Sequence, residues 1–98
     1  MSIIAMTRST FEPDVRNKVL SFSREAVKLF PKHKGFMGIR TLLSQEGNEI
    51  VSVIEWETEE GHTACQQSLD WNSLLPQWTK LLESGKMTFE VKLFVSLE

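Results

Sequence analysis

Apolar residues recur along this chain with two periods, and the switches between them lay out an α+β arrangement. Ile3, Ile4, Ala5 and Met6 form a short apolar run, read as a first strand over residues 2–9. Val15, Val19, Phe22, Ala26 and Leu29/Phe30 then follow at three- and four-residue spacing, the stripe of one helix. Pro13 suits its first position, Asp14 suits the positive end of its dipole, Pro31 ends it and Gly35 resets the chain. Phe36 to Ser44 and Glu49 to Glu57 read as strands, joined by the turn Gln45-Glu46-Gly47-Asn48 into an antiparallel hairpin. Thr58 is a good cap for a second helix, with Glu59 and Glu60 in its first turn. A break near Asp70 is expected. Ser73 then caps a third helix carrying Leu74, Leu75, Trp78, Leu81 and Leu82, with Pro76 in its first turn. Gly85 closes it. In the last segment Met87, Phe89, Val91, Leu93, Val95 and Leu97 alternate with Thr88, Glu90, Lys92, Phe94 and Ser96, a strand.

The order β-α-β-β-α(α)-β predicts a ferredoxin-like sandwich: a four-stranded antiparallel sheet with helices on one face, built as a single domain over residues 1–98. The other face of such a sheet should carry water-loving residues, and here the separation is poor. Phe36 and Leu42 oppose the parity of Met37, Ile39 and Leu43, both parities of the third strand are apolar, and Phe94 sits on the polar side of the last strand. An apolar patch of that kind calls for a partner, and a homodimer packed through the sheet face is expected, with Glu90, Lys92 and Arg40 paired or at its rim.

Composition narrows the classes. The chain has 98 residues, 41% hydrophobic and 24% charged, with a formal net charge of -2. A domain this short buries only about 60–65% of its unfolded surface, which also favours a second copy. There is no basic stripe, so nucleic acid is not an expected partner. Cys65 is the single cysteine, which rules out an intrachain disulfide and suits a reducing, cytoplasmic setting. The first residues lack the basic n-region of a signal peptide, and no stretch has the roughly 20 apolar residues of a membrane helix.

The run Trp56-Glu57-Thr58-Glu59-Glu60 at the end of the third strand, Gly35-Phe36 at the start of the second, and Ser68 on the following helix carry a resemblance. The chain resembles the antibiotic biosynthesis monooxygenase domain family, with its dimeric α+β barrel, over its whole length. One position departs from the family pattern: Cys65 stands where that family often has His, and His62 lies one turn earlier. The haem-degrading branch uses an Asn on the first strand with a Trp and a His on later helices. The corresponding places hold Thr7, Cys65 and about Leu75, and only a register shift would bring in Trp71-Asn72, so haem degradation is not implied.

The resemblance implies oxidation of a phenol or quinol by O2 with no bound cofactor, the deprotonated substrate supplying the electrons. Such a site needs a dry aromatic-walled pocket, a proton acceptor and a group to hold an anion. The candidates are His62 for the proton and Arg40 for the anion, with Phe22, Trp56, Cys65, Trp71 and Trp78 as pocket walls. Each also has a plainer reading. Aromatic residues at these spacings fill cores, His62 is solvated, and Cys65 is a small buried hydrophobe. No Gly-rich phosphate loop, Gly-x-Ser-x-Gly elbow or metal-ligand spacing occurs, so no nucleotide, flavin or metal is expected. A ligand-binding or structural barrel without turnover is the alternative, and a non-oxidative isomerase or decarboxylase a third, since fold does not fix function.

Overall fold

The computed structural model describes residues 2–97. Strand β1 spans Ile3–Phe11, β2 Phe36–Leu43, β3 Glu49–Trp56 and β4 Met87–Val95. Helix α1 spans Arg16–Leu29, α2 Glu59–Gln66 and α3 Leu69–Glu83, with single 3₁₀ turns at Pro13–Val15 and Phe30–Lys32. All strand pairs are antiparallel in the order β2-β3-β1-β4, so both central strands come from distant parts of the chain. This is the expected ferredoxin-like α+β sandwich.

The buried set lies between the sheet and α1 and α3. It includes Ala5, Phe11, Ile50, Ile54, Trp56 and Met87 from the strands, Val19, Phe22 and Ala26 from α1, Cys65 from α2, and Trp78 and Leu81 from α3. Each large side chain added to this layer contributes about 1.5–3 kcal/mol by leaving water. Ile54, Ala5 and Ile39 share one cross-strand row of the helix-facing side; Arg40, Val53, Met6 and Lys92 share a row of the opposite side.

Two local features differ from expectation. The register slips between Phe36 and Gly38, a bulge that leaves Met37 without a partner. Phe36 pairs with Trp56 and Ile39 with Ile54, so both fall on the helix side despite their odd separation. The blurred alternation of this strand has that cause. The second difference concerns the helix break. Ser68, not Ser73, caps α3: its Oγ accepts from the Trp71 N–H at 3.3 Å and donates to the Cys65 carbonyl at 2.6 Å. One hydroxyl thereby ends α2 and starts α3. Ser73 lies inside α3 and donates to the Asp70 carbonyl at 2.7 Å. Pro76 is interior as well, rather than in the first turn. It removes one i→i−4 bond from a helix held by the packing of Trp78 and Leu81.

The Thr58 cap matches expectation, its Oγ1 accepting from the Gly61 N–H at 3.2 Å. Gly61 has a second task. A Cβ there would stand 3.0 Å from the Lys34 carbonyl oxygen and 3.5 Å from the Trp56 ring, so the missing side chain lets α2 lie against the entry to β2.

Candidate functional site

Helices and sheet do not meet everywhere. Between them lies a cavity of about 380 Å³, within the usual range for small-molecule sites. Its floor is the helix-facing side of the sheet, with Ala5, Thr7 and Ser9 from β1, Ile50, Ser52 and Ile54 from β3, and Phe89 and Val91 from β4. Its roof comes from Phe22 and Ala26 of α1 and Trp71 and Trp78 of α3, and α2 contributes His62 and Gln66. It opens along β4, where Val91 is 50% exposed although it faces the helix side.

A continuous aromatic wall encloses it. Phe89 meets Trp78 edge-on at 5.0 Å between centroids, and Trp78 stacks on Phe22 at 4.3 Å. Phe22 touches Trp71 at 6.4 Å, Trp71 lies 5.6 Å from Phe30, and Phe30 meets Trp56 at 6.2 Å. His62 closes the series at 6.1 Å from Trp56. Trp71 and Trp78 reach the same side because they lie seven residues apart on one helix. Such offset and edge-on pairs each add about 0.5–1.5 kcal/mol beyond burial and hold the wall rigid.

The polar groups are few. Two buried ring nitrogens on this wall, Trp56 Nε1 and His62 Nδ1, have no hydrogen-bond partner. Burial pushes the His62 imidazole below its ordinary value, the nearby Glu59 carboxylate opposing, so it is neutral at pH 7. His62 is the sole ionisable side chain lining the cavity among the described residues. A neutral imidazole with an unpaired nitrogen can accept a proton from a bound hydroxyl, and an indole N–H can donate to the anion left behind.

Of the other expected site residues, Phe22, Trp56, Trp71 and Trp78 line the cavity. Arg40 does not: it pairs with Val53 on the far face of the sheet and is exposed, because the bulge fixes that parity. Cys65 is fully buried behind the wall, and burial pushes its thiol up to about 11, aided by Asp70. It is a packed hydrophobe there rather than a nucleophile. The hydroxyls of Thr7, Ser9 and Ser52 on the floor were not anticipated. The sequence alone does not mark them, because it is the pairing of Thr7 with Ser52 and of Ser9 with Ile50 that puts them on the helix side.

A second hollow involves His33, Lys34 and Gly35 against the start of α2. His33 Nε2 stands 3.4 Å from Asp70 Oδ2, an ion-pair distance without hydrogen-bond alignment. Among the described residues no cluster of His, Cys, Asp and Glu could hold a metal ion, and no helix is long and apolar enough to cross a membrane.

No family model matches this sequence, and no curated protein matches it. Solved structures do match. SnoaB from Streptomyces nogalater, described as a cofactor-independent oxygenase, superposes with a TM-score of 0.79 at 18% identity over 99% of this chain and 94% of its own. Rv0793 from Mycobacterium tuberculosis gives 0.86 at 15% identity, over 100% and 97%. A structure described as an antibiotic biosynthesis monooxygenase gives 0.79 at 15% identity, over 98% and 99%. The chain has the fold of the antibiotic biosynthesis monooxygenases, the fold that its Trp56–Ser68 run and element order imply.

Proposed function

We propose that this chain is a cofactor-independent monooxygenase that oxidises a small aromatic, quinol-type molecule with O2. The observation that carries this reading is the aromatic-walled cavity with a neutral His62 whose buried Nδ1 has no protein partner. The likeness to a structure described as a cofactor-independent oxygenase supports it.

The chemistry asks little of the protein. The substrate lies flat between Phe22, Trp71 and Trp78 above and the sheet below. His62 takes a proton from an activated ring carbon or hydroxyl, and Trp56 Nε1 donates to the oxygen on which the charge settles. The carbanion gives an electron to O2 and the radical pair recombines, forming a C–O bond. His62 returns its proton to the peroxide, and loss of water leaves a carbonyl. In sum, a ring methylene and one dioxygen become a ring carbonyl and one water, the methylene carbon supplying all four electrons. The apolar walls keep bulk water from the anion. Oxygen uptake with a panel of hydroquinones and anthrones tests this; uptake no greater than buffer removes the catalytic reading.

A second reading is favoured by one observation. Arg40 lies on the far face, which leaves the cavity without a cation. A ligand-binding barrel without turnover fits that, and would show saturable binding, no oxygen uptake and no dependence on His62.

The working unit in either case is a homodimer formed through the exposed sheet face. Met6, Leu42 and Phe94 are exposed there beside Val51 and Val53, with Arg8, Arg40, Glu90 and Lys92 among them. A reducing cytoplasm suits the single free thiol.

A further inference from the structure

We infer that the cavity reads two polar groups on its ligand, one at His62 and Trp56 and a second at the floor hydroxyls of Thr7, Ser9 and Ser52, so that it selects an uncharged, elongated aromatic oxygenated at both ends. The inference rests on the reading of this cavity as the ligand site.

The second subsite comes from the sheet register. Thr7 and Ser52 are direct cross-strand partners, and Ser9 lies two residues beyond Thr7 on the same face. Their Cα atoms are therefore about 5–8 Å apart, close enough for the hydroxyls to serve one ligand oxygen. These positions lie on the side of the sheet that elsewhere buries Ala5, Ile50 and Ile54. Ser9 is the one buried polar residue among those described, 4% exposed, and its hydroxyl meets no protein partner. Thr7 likewise makes no side-chain hydrogen bond, and Ser52 has only a 3.3 Å contact with Thr41. Ser9 is buried and Thr7 and Ser52 are half-buried, and all three line the cavity with hydrogen-bonding capacity to spare, so together they point to an oxygen that enters with the ligand.

The spacing sets the ligand's shape. Trp56 and Ser52 are four residues apart on β3, about 13 Å along the strand, and the Ala5, Ile39 and Ile54 row between them is apolar. A ligand that satisfies both ends lies parallel to β1 and β3 with its apolar middle over that row. The absence of charged side chains from the lining, among the described residues, excludes a favourable partner for an ionised group.

The test uses 4,4′-dihydroxybiphenyl and 4-phenylphenol, which differ by one terminal hydroxyl, with quenching of tryptophan fluorescence as the binding readout. The wild-type chain is expected to bind the two-ended probe roughly five- to tenfold more tightly, the effect of one net hydrogen bond. In Thr7→Val/Ser9→Ala/Ser52→Ala that preference falls to about twofold or less, the statistical advantage of two ends. Thr7→Ser alone keeps the preference and controls for packing. An undiminished preference in the triple variant, or none in the wild type, overturns the second subsite while leaving the cavity reading standing. Failure of both probes to bind overturns the cavity reading and this inference with it.

Discussion

His62 stands edge-on to Trp56, with ring centroids 6.1 Å apart and planes at 63°, and each presents a buried ring nitrogen that no protein group satisfies. Trp56 ends β3 and His62 sits in the first turns of α2, so the pair is set by the short capped connection through Thr58. Both residues line the cavity, with the two nitrogens themselves buried in its wall.

The pH dependence follows from the lowered His62 value. The folded state favours the neutral ring, so the unfolded chain binds more protons between the folded value and about 6.5. Stability is therefore full above about 6.5 and declines as pH falls through that window, levelling once the folded state is protonated too. Turnover should hold steady down to the same region and then fall. His62→Ala should abolish the acid limb of the activity profile and flatten that part of the stability curve, measured by thermal unfolding across the acid-to-neutral range.

Gly61→Ala should destabilise the fold by about 1–2 kcal/mol, although Ala is intrinsically the better helix former. The new Cβ would meet the Lys34 carbonyl at 3.0 Å, and a backbone atom yields less than a side-chain tip. Because α2 must shift, His62 moves with it, and aromatic ligands should bind several-fold more weakly. Urea unfolding and fluorescence titration of the same variant check both effects.

The fully buried Cys65 thiol, held up to about 11, should resist a thiol reagent at mildly alkaline pH in the native protein and react at once in denaturant. Cys65→Ser should cost about 1–3 kcal/mol, since the hydroxyl enters an apolar site. Rapid native-state alkylation would contradict this packing.

The exposed sheet face should be sensitive to charge. Met6 and Val53 are cross-strand partners at its centre, and Met6→Lys/Val53→Lys should lower the mass in solution from two chains to one. Ligand binding in the cavity on the opposite face should change little. Sedimentation analysis at micromolar concentration checks the first outcome and fluorescence titration the second.

The parts legible in the sequence were those where local chemistry and tertiary packing agree. The alternation from Met87 to Val95, the Thr58 cap and the turn at Gly47 are such places, and the architecture follows from their order. The bulge at Met37 was not legible, because the change of parity that it causes reads the same as a strand apolar on both faces. It decides that Phe36 packs against Phe30 and Trp56 and that Arg40 faces away. The helix break shows a competition between caps: Ser68 and Ser73 both suit the role, and starting the helix at Ser68 places Trp71 against Phe22 and Phe30. At the site, the aromatic residues announced themselves by type and spacing. The floor hydroxyls were hidden because Thr and Ser in strands usually face water, and only the sheet register shows which side they occupy.

The most direct test of the central claim is oxygen consumption with an anthrone, comparing the wild type with His62→Ala and Val91→Trp. Val91 is half-exposed at the mouth, so a tryptophan there can fill the cavity without disturbing buried packing. Uptake above buffer of one O2 per quinone formed, reduced at least tenfold in both variants, is the predicted result. Uptake at the buffer rate, or uptake that neither variant changes, would contradict the assignment of oxidation to this cavity.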